Sequence, residues 1–199
     1  MRILLPALGV GLIALSACVS VLPEPEAPDA LYRMSASRQA APLSATVLIR
    51  EPEAPQIMSG RAMVREDESG AIRLIPNNEW AGRATRLFQL ALVDSFSSGT
   101  GAAVLPESGV AADYEFAIRI TTLGFVGDEA ACEASGSLIS AKTRTLVSQE
   151  RIRIARPALE GRPQTLKIVS EQCVTAFSQF LTATLNTRET LDETAISSQ

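Results

Sequence analysis

The longest alternation of apolar and polar residues in the chain predicts a β-strand over residues 114–125. Successive side chains of a strand point to opposite faces, so every second residue shares a face. The apolar set is Tyr114, Phe116, Ile118 and Ile120, and the opposite set is Glu115, Ala117, Arg119 and Thr121. Such a strand would cover a hydrophobic core with one face and meet water with the other.

Shorter segments complete the predicted sheet. Those with a strand pattern are 44–50, 60–66, 71–76, 104–105, 135–142 and 146–154. An acidic turn separates the second and third segments, and the last two turn at Thr143 and Arg144, which predicts two hairpins. Asn77 and Asn78 predict a further turn before Trp80, the single tryptophan of the chain.

Two segments show helical periodicity. Residues 84–98 repeat apolar side chains at helical spacing, and Gly99 and Gly101 would end that helix. Residues 166–187 carry a second apolar stripe. Its members are Leu166, Val169, Cys173, Ala176, Phe177, Phe180 and Leu181. The element order predicts an α+β fold, a two-layer sandwich with a mixed, mostly antiparallel sheet and two main helices packed on one face. The polar residues 188–199 are predicted to form a disordered tail.

The N-terminus predicts export. Arg2 precedes an apolar run, Ile3–Leu15, of the length that a secretory signal uses. The longer run Ile3–Leu22 approaches the ~20 residues that span a membrane, although proline and serine interrupt it. An uncleaved anchor and a plain secretory signal are therefore the alternatives to a lipoprotein signal.

The end of the apolar run favours a lipoprotein. Leu15, Ser16, Ala17 and Cys18 resemble the bacterial lipobox, in which small residues fit the peptidase cleft and the cysteine thiol takes a diacylglycerol before cleavage. Residues 1–17 would then be a lipoprotein signal peptide. The acylated Cys18 would anchor the mature chain to a membrane, because more than one acyl chain gives stable binding.

Residues 18–42 are rich in proline and alanine and predict a tether between the anchor and a folded domain over 43–187. Val19 and Ser20 follow the anchor, where enteric lipoproteins of the inner membrane carry an aspartate. This favours the periplasmic face of the outer membrane, with the inner membrane as the alternative.

Cys132 and Cys173 would then face an oxidising compartment as a pair. The second helical stripe turns Cys173 toward the core beside Phe177, where it can meet Cys132 at the sheet edge. A disulfide would close a loop of roughly 40 residues and contribute about 4 kcal/mol in the chain-entropy model. Two buried free thiols are the alternative, because unpaired cysteine is commonly buried.

Composition argues against catalysis. The 199 residues contain no histidine, which excludes a Ser-His-Asp triad, a Cys-His dyad and a histidine-ligated zinc. The sequence also lacks nucleotide-binding and calcium-binding loops. We therefore expect no enzyme activity, no catalytic residues, no cofactor and no metal. With 18 Lys+Arg against 22 Asp+Glu, the net charge of −4 also disfavours nucleic-acid binding.

Two features are candidates for contacts with partners. Trp80 would either meet a partner or fill the core, as a lone tryptophan commonly does. A set of arginines would form either a patch for anionic lipid or an acidic partner, or an ordinary solvated face. These are Arg61, Arg65, Arg83, Arg86, Arg151, Arg153 and Arg156.

In their order, these motifs resemble the ABC-type transport auxiliary lipoproteins of the paraquat-inducible lipoprotein C type. That family has a lipobox and linker, a strand, a hairpin, an Asn-x-x-Trp turn, a helix with a Leu/Phe face, and an Ala-Asp-Tyr start to its long strand. The matching segments here are Leu15–Cys18, Thr46–Arg50, Arg61–Pro76, Asn77–Trp80, Arg83–Phe96 and Ala112–Tyr114. The resemblance covers roughly residues 30–187 and makes 43–187 the auxiliary lipoprotein domain.

The resemblance implies an auxiliary subunit of an ABC transporter that moves lipid between the inner and outer membranes. Such a subunit would dock a periplasmic protein of the mammalian-cell-entry (MCE) type at the outer membrane and accompany the permease and ATPase without hydrolysing ATP. Contact with phospholipid and assembly into a homo-oligomer are left open. The alternatives are an unrelated outer-membrane assembly or envelope-integrity lipoprotein and, more remotely, a periplasmic hydrolase.

Overall fold

The computed structural model describes residues 27–36, 42–96, 101–158 and 162–197. The predicted signal peptide, with Leu15, Ser16, Ala17 and the anchor Cys18, lies outside these residues, as does much of the predicted tether.

Within these described residues, eight strands form one sheet. They are β1 (Ala30–Tyr32), β2 (Val47–Ile49), β3 (Ala62–Glu66), β4 (Ile72–Trp80), β5 (Ala103–Val104), β6 (Tyr114–Val126), β7 (Glu129–Ser140) and β8 (Leu146–Pro157). The same part of the chain contains three α-helices, α1 (Gln56–Ser59), α2 (Ala84–Asp94) and α3 (Pro163–Ser197). The α+β class and the layer of two main helices are confirmed.

The strand β6 is the centre of the sheet. One of its edges pairs antiparallel with β7 along its whole length, and β7 pairs antiparallel with β8. The other edge is shared, since β2 pairs in parallel near Tyr114 and β3 pairs in parallel near Phe125. The sheet continues from β3 to β4 and β1, and from β2 to β5. It is mixed, as predicted, with long antiparallel pairings and several short parallel ones.

Three predicted boundaries differ from the structure. Asn77 and Asn78 do not form a separate turn but lie inside β4, where Asn77 adopts a left-handed φ of 58°. The predicted tether contains β1, which pairs in parallel with the end of β4. The helix predicted to end near Thr187 continues through Ser197, so the predicted disordered tail is helical over 188–197.

The helices α2 and α3 cover the apolar face predicted for β6. Phe116, Ile118 and Ile120 are buried there, and Phe177 of α3 packs edge-on against Phe116 with ring centroids 5.6 Å apart. Phe88 of α2 meets the same Phe177 ring at 6.2 Å. One aromatic cluster therefore joins both helices to the central strand, a geometry favoured by aromatic pairs.

Gly136 makes room for this cluster. It lies opposite Ile118 on β7, on the core side of the sheet. A Cβ atom at this position would lie 2.4 Å from Phe116 Cζ and 2.7 Å from Phe177 Cε1. Both rings are fully buried, so neither can move aside without disturbing the packing around it.

We predict that Gly136→Ala lowers the free energy of unfolding by about 1–3 kcal/mol, the usual cost of overpacking a core. The matched control is Gly60→Ala, because no atom lies within 4 Å of the Cβ that it would add. That change should stay within about 0.5 kcal/mol of wild type. Urea unfolding measures both, and an equal effect of the two substitutions would contradict the proposed packing.

Candidate functional site

A disulfide joins the sheet to the long helix. Cys132 lies on the core side of β7, opposite Leu123, and Cys173 lies on the buried face of α3. Their sulfurs are bonded, and their Cα atoms are 6.4 Å apart. Phe177 follows Cys173 by one helical turn on α3. Gly136 follows Cys132 by four residues on β7 and therefore lies on the same face of that strand. The disulfide therefore holds α3 to β7, and the contact of Phe177 with Phe116 holds it to the neighbouring β6.

The segment that would lead to the membrane anchor is also held by α3. Glu171 of α3 is 8% exposed, and its Oε1 accepts hydrogen bonds from the backbone N–H of Ser35 at 3.0 Å and from its hydroxyl at 2.6 Å. The Nζ of Lys167 lies 2.7 Å from the same oxygen. Met34, next to Ser35, is buried in the core. These contacts determine where the N-terminal segment meets the domain.

Trp80 is not an exposed partner contact. It ends β4 and is 1% exposed, with its backbone N–H donating to Arg61 O at 2.7 Å. The strand β1 covers this end of β4, with Tyr32 opposite Trp80. Of the two alternatives for Trp80, the structure shows the side chain filling the core, where β1 and the core enclose it.

The face of β6–β8 opposite the helices is polar and carries a groove of about 520 Å³. Its lining residues are Arg119, Thr121, Ala134, Ser135, Gln149, Glu150 and Arg151. An adjoining groove of about 470 Å³ shares Arg119 and Thr121 and adds Glu53, Ala54, Pro55 and Ile120. We call this surface, from Glu53 to Arg151, the open face.

Most of the predicted arginine patch is neutralised. Arg61 pairs with Glu79, Arg83 with Glu51, Arg86 with Glu107 and Arg153 with Glu133. Arg65 lies over the ring of Phe125, and Arg156 donates to Gln172. These seven side chains do not gather into one surface, and each of the six just named has a local partner.

Two arginines of the open face differ from these. Arg119 of β6 and Arg151 of β8 are exposed, and within the described strands they are the arginines whose side chains form no hydrogen bond, ion pair or ring contact. Ser135 of β7 lies directly between them, since it is paired with Arg119 on one side and with Arg151 on the other. Strands are about 4.8 Å apart, which separates the two arginine Cα atoms by roughly 10 Å.

The sequence singled out Arg151 but missed Arg119. The alternation of β6 does place Arg119 on the outward face of the sheet, and this pattern could have marked Arg119 as a surface candidate. The register that sets it beside Ser135 and Arg151 depends on pairing between three strands, and a local pattern does not reveal that register.

A second charged cluster lies at the far end of this sheet face. Arg50 Nη2 lies 2.6 Å from Glu115 Oε2, and Arg144 binds the other carboxylate oxygen. Burial raises the pKa of Glu115, but the hydrogen bonds from both arginines outweigh it and leave the pKa below its ordinary value. Glu115 thus stays ionised and ties the turn after β7 to the end of β2.

The described residues contain no group of three His, Cys, Asp or Glu side chains that could hold a metal ion. Among these same residues, no helix is both long and apolar enough to cross a membrane.

Comparison with known proteins identifies the fold and then the family. A crystal structure of a Xanthomonas campestris protein assigned to the family DUF330 superposes with a TM-score of 0.63 and 20% identity, covering 84% of this chain and 98% of that chain. A crystal structure of an uncharacterized protein superposes with a TM-score of 0.54 and 11% identity, covering 74% and 95%. At these identities the likeness concerns the fold. No curated protein matches the sequence.

The sequence itself matches the family described as "ABC-type transport auxiliary lipoprotein component" over residues 30–184. The chain belongs to this family. The resemblance inferred from the motif order is therefore confirmed. The match begins at β1 and ends within α3, so it includes most of the domain predicted over 43–187 and also takes in residues 30–42.

We predict that the auxiliary lipoprotein domain contains no free thiol at Cys132 or Cys173 and depends on their bond. Replacing both by alanine should lower the free energy of unfolding by about 4 kcal/mol, from the entropy that the crosslink removes from the unfolded chain. Urea unfolding of the unreduced protein measures this loss, and reduced wild type should fall to a similar midpoint. Two thiols that react with a thiol reagent in unfolded, unreduced wild type would contradict the bond.

Proposed function

We propose that this chain is a lipid-anchored periplasmic subunit that docks an MCE-type protein of an ABC transport system at the outer membrane. The family match over residues 30–184 carries the proposal, because it assigns the folded domain to auxiliary lipoproteins of ABC transport. The lipobox ending at Cys18 supplies the anchor.

The architecture suits a docking role. The helix α3 holds both the sheet, through Cys132–Cys173, and the N-terminal segment, through Ser35 and Glu171. The domain would therefore act as one body at the end of a short tether, and the polar open face would stay available to other molecules. The chain also has no histidine, and our proposal includes no catalytic step.

The experiment is a crosslinking pull-down from native membranes. The lipidated chain, tagged at its C-terminus, should recover an MCE-type protein together with the permease and ATPase. The matched control is Cys18→Ala, which should remain unprocessed by the lipoprotein peptidase and take up no labelled palmitate. This variant should recover much less of the transporter, because the anchor no longer places the domain at the outer membrane.

Two outcomes would overturn the proposal. Repeated recovery of β-barrel assembly proteins or peptidoglycan without any MCE-type protein would favour a different envelope lipoprotein. Normal palmitate labelling of the Cys18→Ala variant would contradict the assigned anchor.

A further inference from the structure

Arg119 and Arg151 have the geometry of a site for one anionic group. Their strands flank β7, and Ser135 lies between them on the same face of the sheet. Arginine side chains present planar donors that match phosphate oxygens, and a serine hydroxyl adds a donor. Thr121 and Gln149 complete a polar lining, and the groove volume of about 520 Å³ admits a small charged group.

The acidic residues nearby do not neutralise this pair. Glu133 is on the same face but is engaged by Arg153 at 2.7 Å. Glu150 also lines the groove, but it pairs with the core-facing Gly136, so its position alternates to the other side of β8, and it forms no ion pair with either arginine. Glu53 is bridged to Arg119 through the backbone and shares the adjoining groove, yet it forms no ion pair with that arginine.

We propose that Arg119 and Arg151, with Ser135 between them, bind the phosphate of an anionic phospholipid headgroup at the surface of the anchoring membrane. The open face is polar around this pair, so it fits a headgroup and offers no apolar channel for acyl chains. The proposal rests on the function proposed above in one respect, since it uses the anchor at Cys18.

The length of chain before β1 favours a membrane as the occupant. Residues 19–29 separate Cys18 from Ala30, and a proline-rich segment of that length reaches roughly 35 Å when extended, at ~3.1 Å per residue. The headgroups of the anchoring membrane are thus within reach. A tether converts binding to that surface into an intramolecular event at about millimolar effective concentration.

The expected strength explains why the tether matters. Each arginine near an anionic surface raises the affinity about 5.5-fold, so the pair contributes about 30-fold. This is too weak to hold a free domain, but it suffices to orient one that is already anchored. The open face would then lie against the membrane until a competing acidic surface displaces it.

The test is photocrosslinking of the full lipidated chain in vesicles. A photoreactive residue replaces Gln149 in the groove or, as the matched control, the exposed Gln179 on α3. In one set of vesicles the radiolabelled lipid is phosphatidylglycerol. The other set contains only phosphatidylcholine, which is radiolabelled in the same way. We expect lipid crosslinks from position 149 with phosphatidylglycerol, several-fold fewer from position 179, and few from either position with phosphatidylcholine.

The arginines are tested in the same vesicles. Arg119→Gln with Arg151→Gln should lower crosslinking about 30-fold, and Glu53→Gln should raise it. Arg61→Gln with Arg73→Gln removes the same charge from ion-paired sites elsewhere on the domain. This control should leave crosslinking within about 2-fold of wild type, because salt screens exposed charges beyond a Debye length of about 8 Å. Unchanged crosslinking in the Arg119/Arg151 variant, or equal crosslinking at positions 149 and 179, would overturn the proposal.

Two further outcomes separate the sources of the anion. Abolition of the lipid crosslink by millimolar inorganic phosphate would overturn the headgroup assignment in favour of a soluble phosphate. Loss of the MCE-type protein from pull-downs of the Arg119/Arg151 variant would show that the site serves an acidic protein instead. Failure of lipid crosslinking with normal recovery of the MCE-type protein would overturn this inference and leave the proposed function standing.

Discussion

The contact between α3 and β7 is the constraint on which the rest of the structure depends. Gly136 leaves the space that Phe177 occupies against Phe116, and Cys132 is bonded to Cys173 beside it. In β7, Gly136 has no side chain and Cys132 forms the disulfide, while α3 provides Cys173 and the ring of Phe177. Because α2 meets the same Phe177 ring, the position of both helices follows from this one contact.

The same helix connects the core to the N-terminal segment around Ser35. Glu171 accepts two hydrogen bonds from Ser35, while Trp80 and Tyr32 join β4 to β1. The residues leading to Cys18 therefore leave a domain whose parts are fixed to one another. With the helices on one face of the sheet, the opposite face is the one that remains for other molecules. This layout leaves one sheet face exposed on an auxiliary lipoprotein of ABC transport, which is the arrangement that our proposed docking role requires.

Local patterns could predict much of this fold. The alternation in β6 separated buried Phe116 from outward Arg119, and the stripe on α3 placed Cys173 in the core because helical spacing reports burial directly. The sequence did not predict β1, because three residues in a proline-rich segment are too few to show a periodic pattern. Asn77 is a residue type that tolerates a left-handed φ, so it predicted a turn where β4 only bends.

The candidate site was harder to predict for a physical reason. Arg119 and Arg151 are brought together by the register of three strands, and Trp80 is hidden by pairing between β1 and β4. Long-range pairing determines these neighbours, and it is absent from any window of the sequence. The predicted lipobox is different, because Leu15–Cys18 is a contiguous motif that a local window of the sequence contains in full.

The most direct measurement of the central claim is lipid transfer between two vesicle populations. One population carries the ABC permease, ATPase and MCE-type protein, and the other carries this chain anchored through acylated Cys18. We expect ATP-dependent transfer of labelled phospholipid that falls to background when the acceptor vesicles lack the chain, or when an unacylated form is added in solution. Equal transfer with the anchored chain, the soluble chain and no chain would contradict a tethered docking subunit.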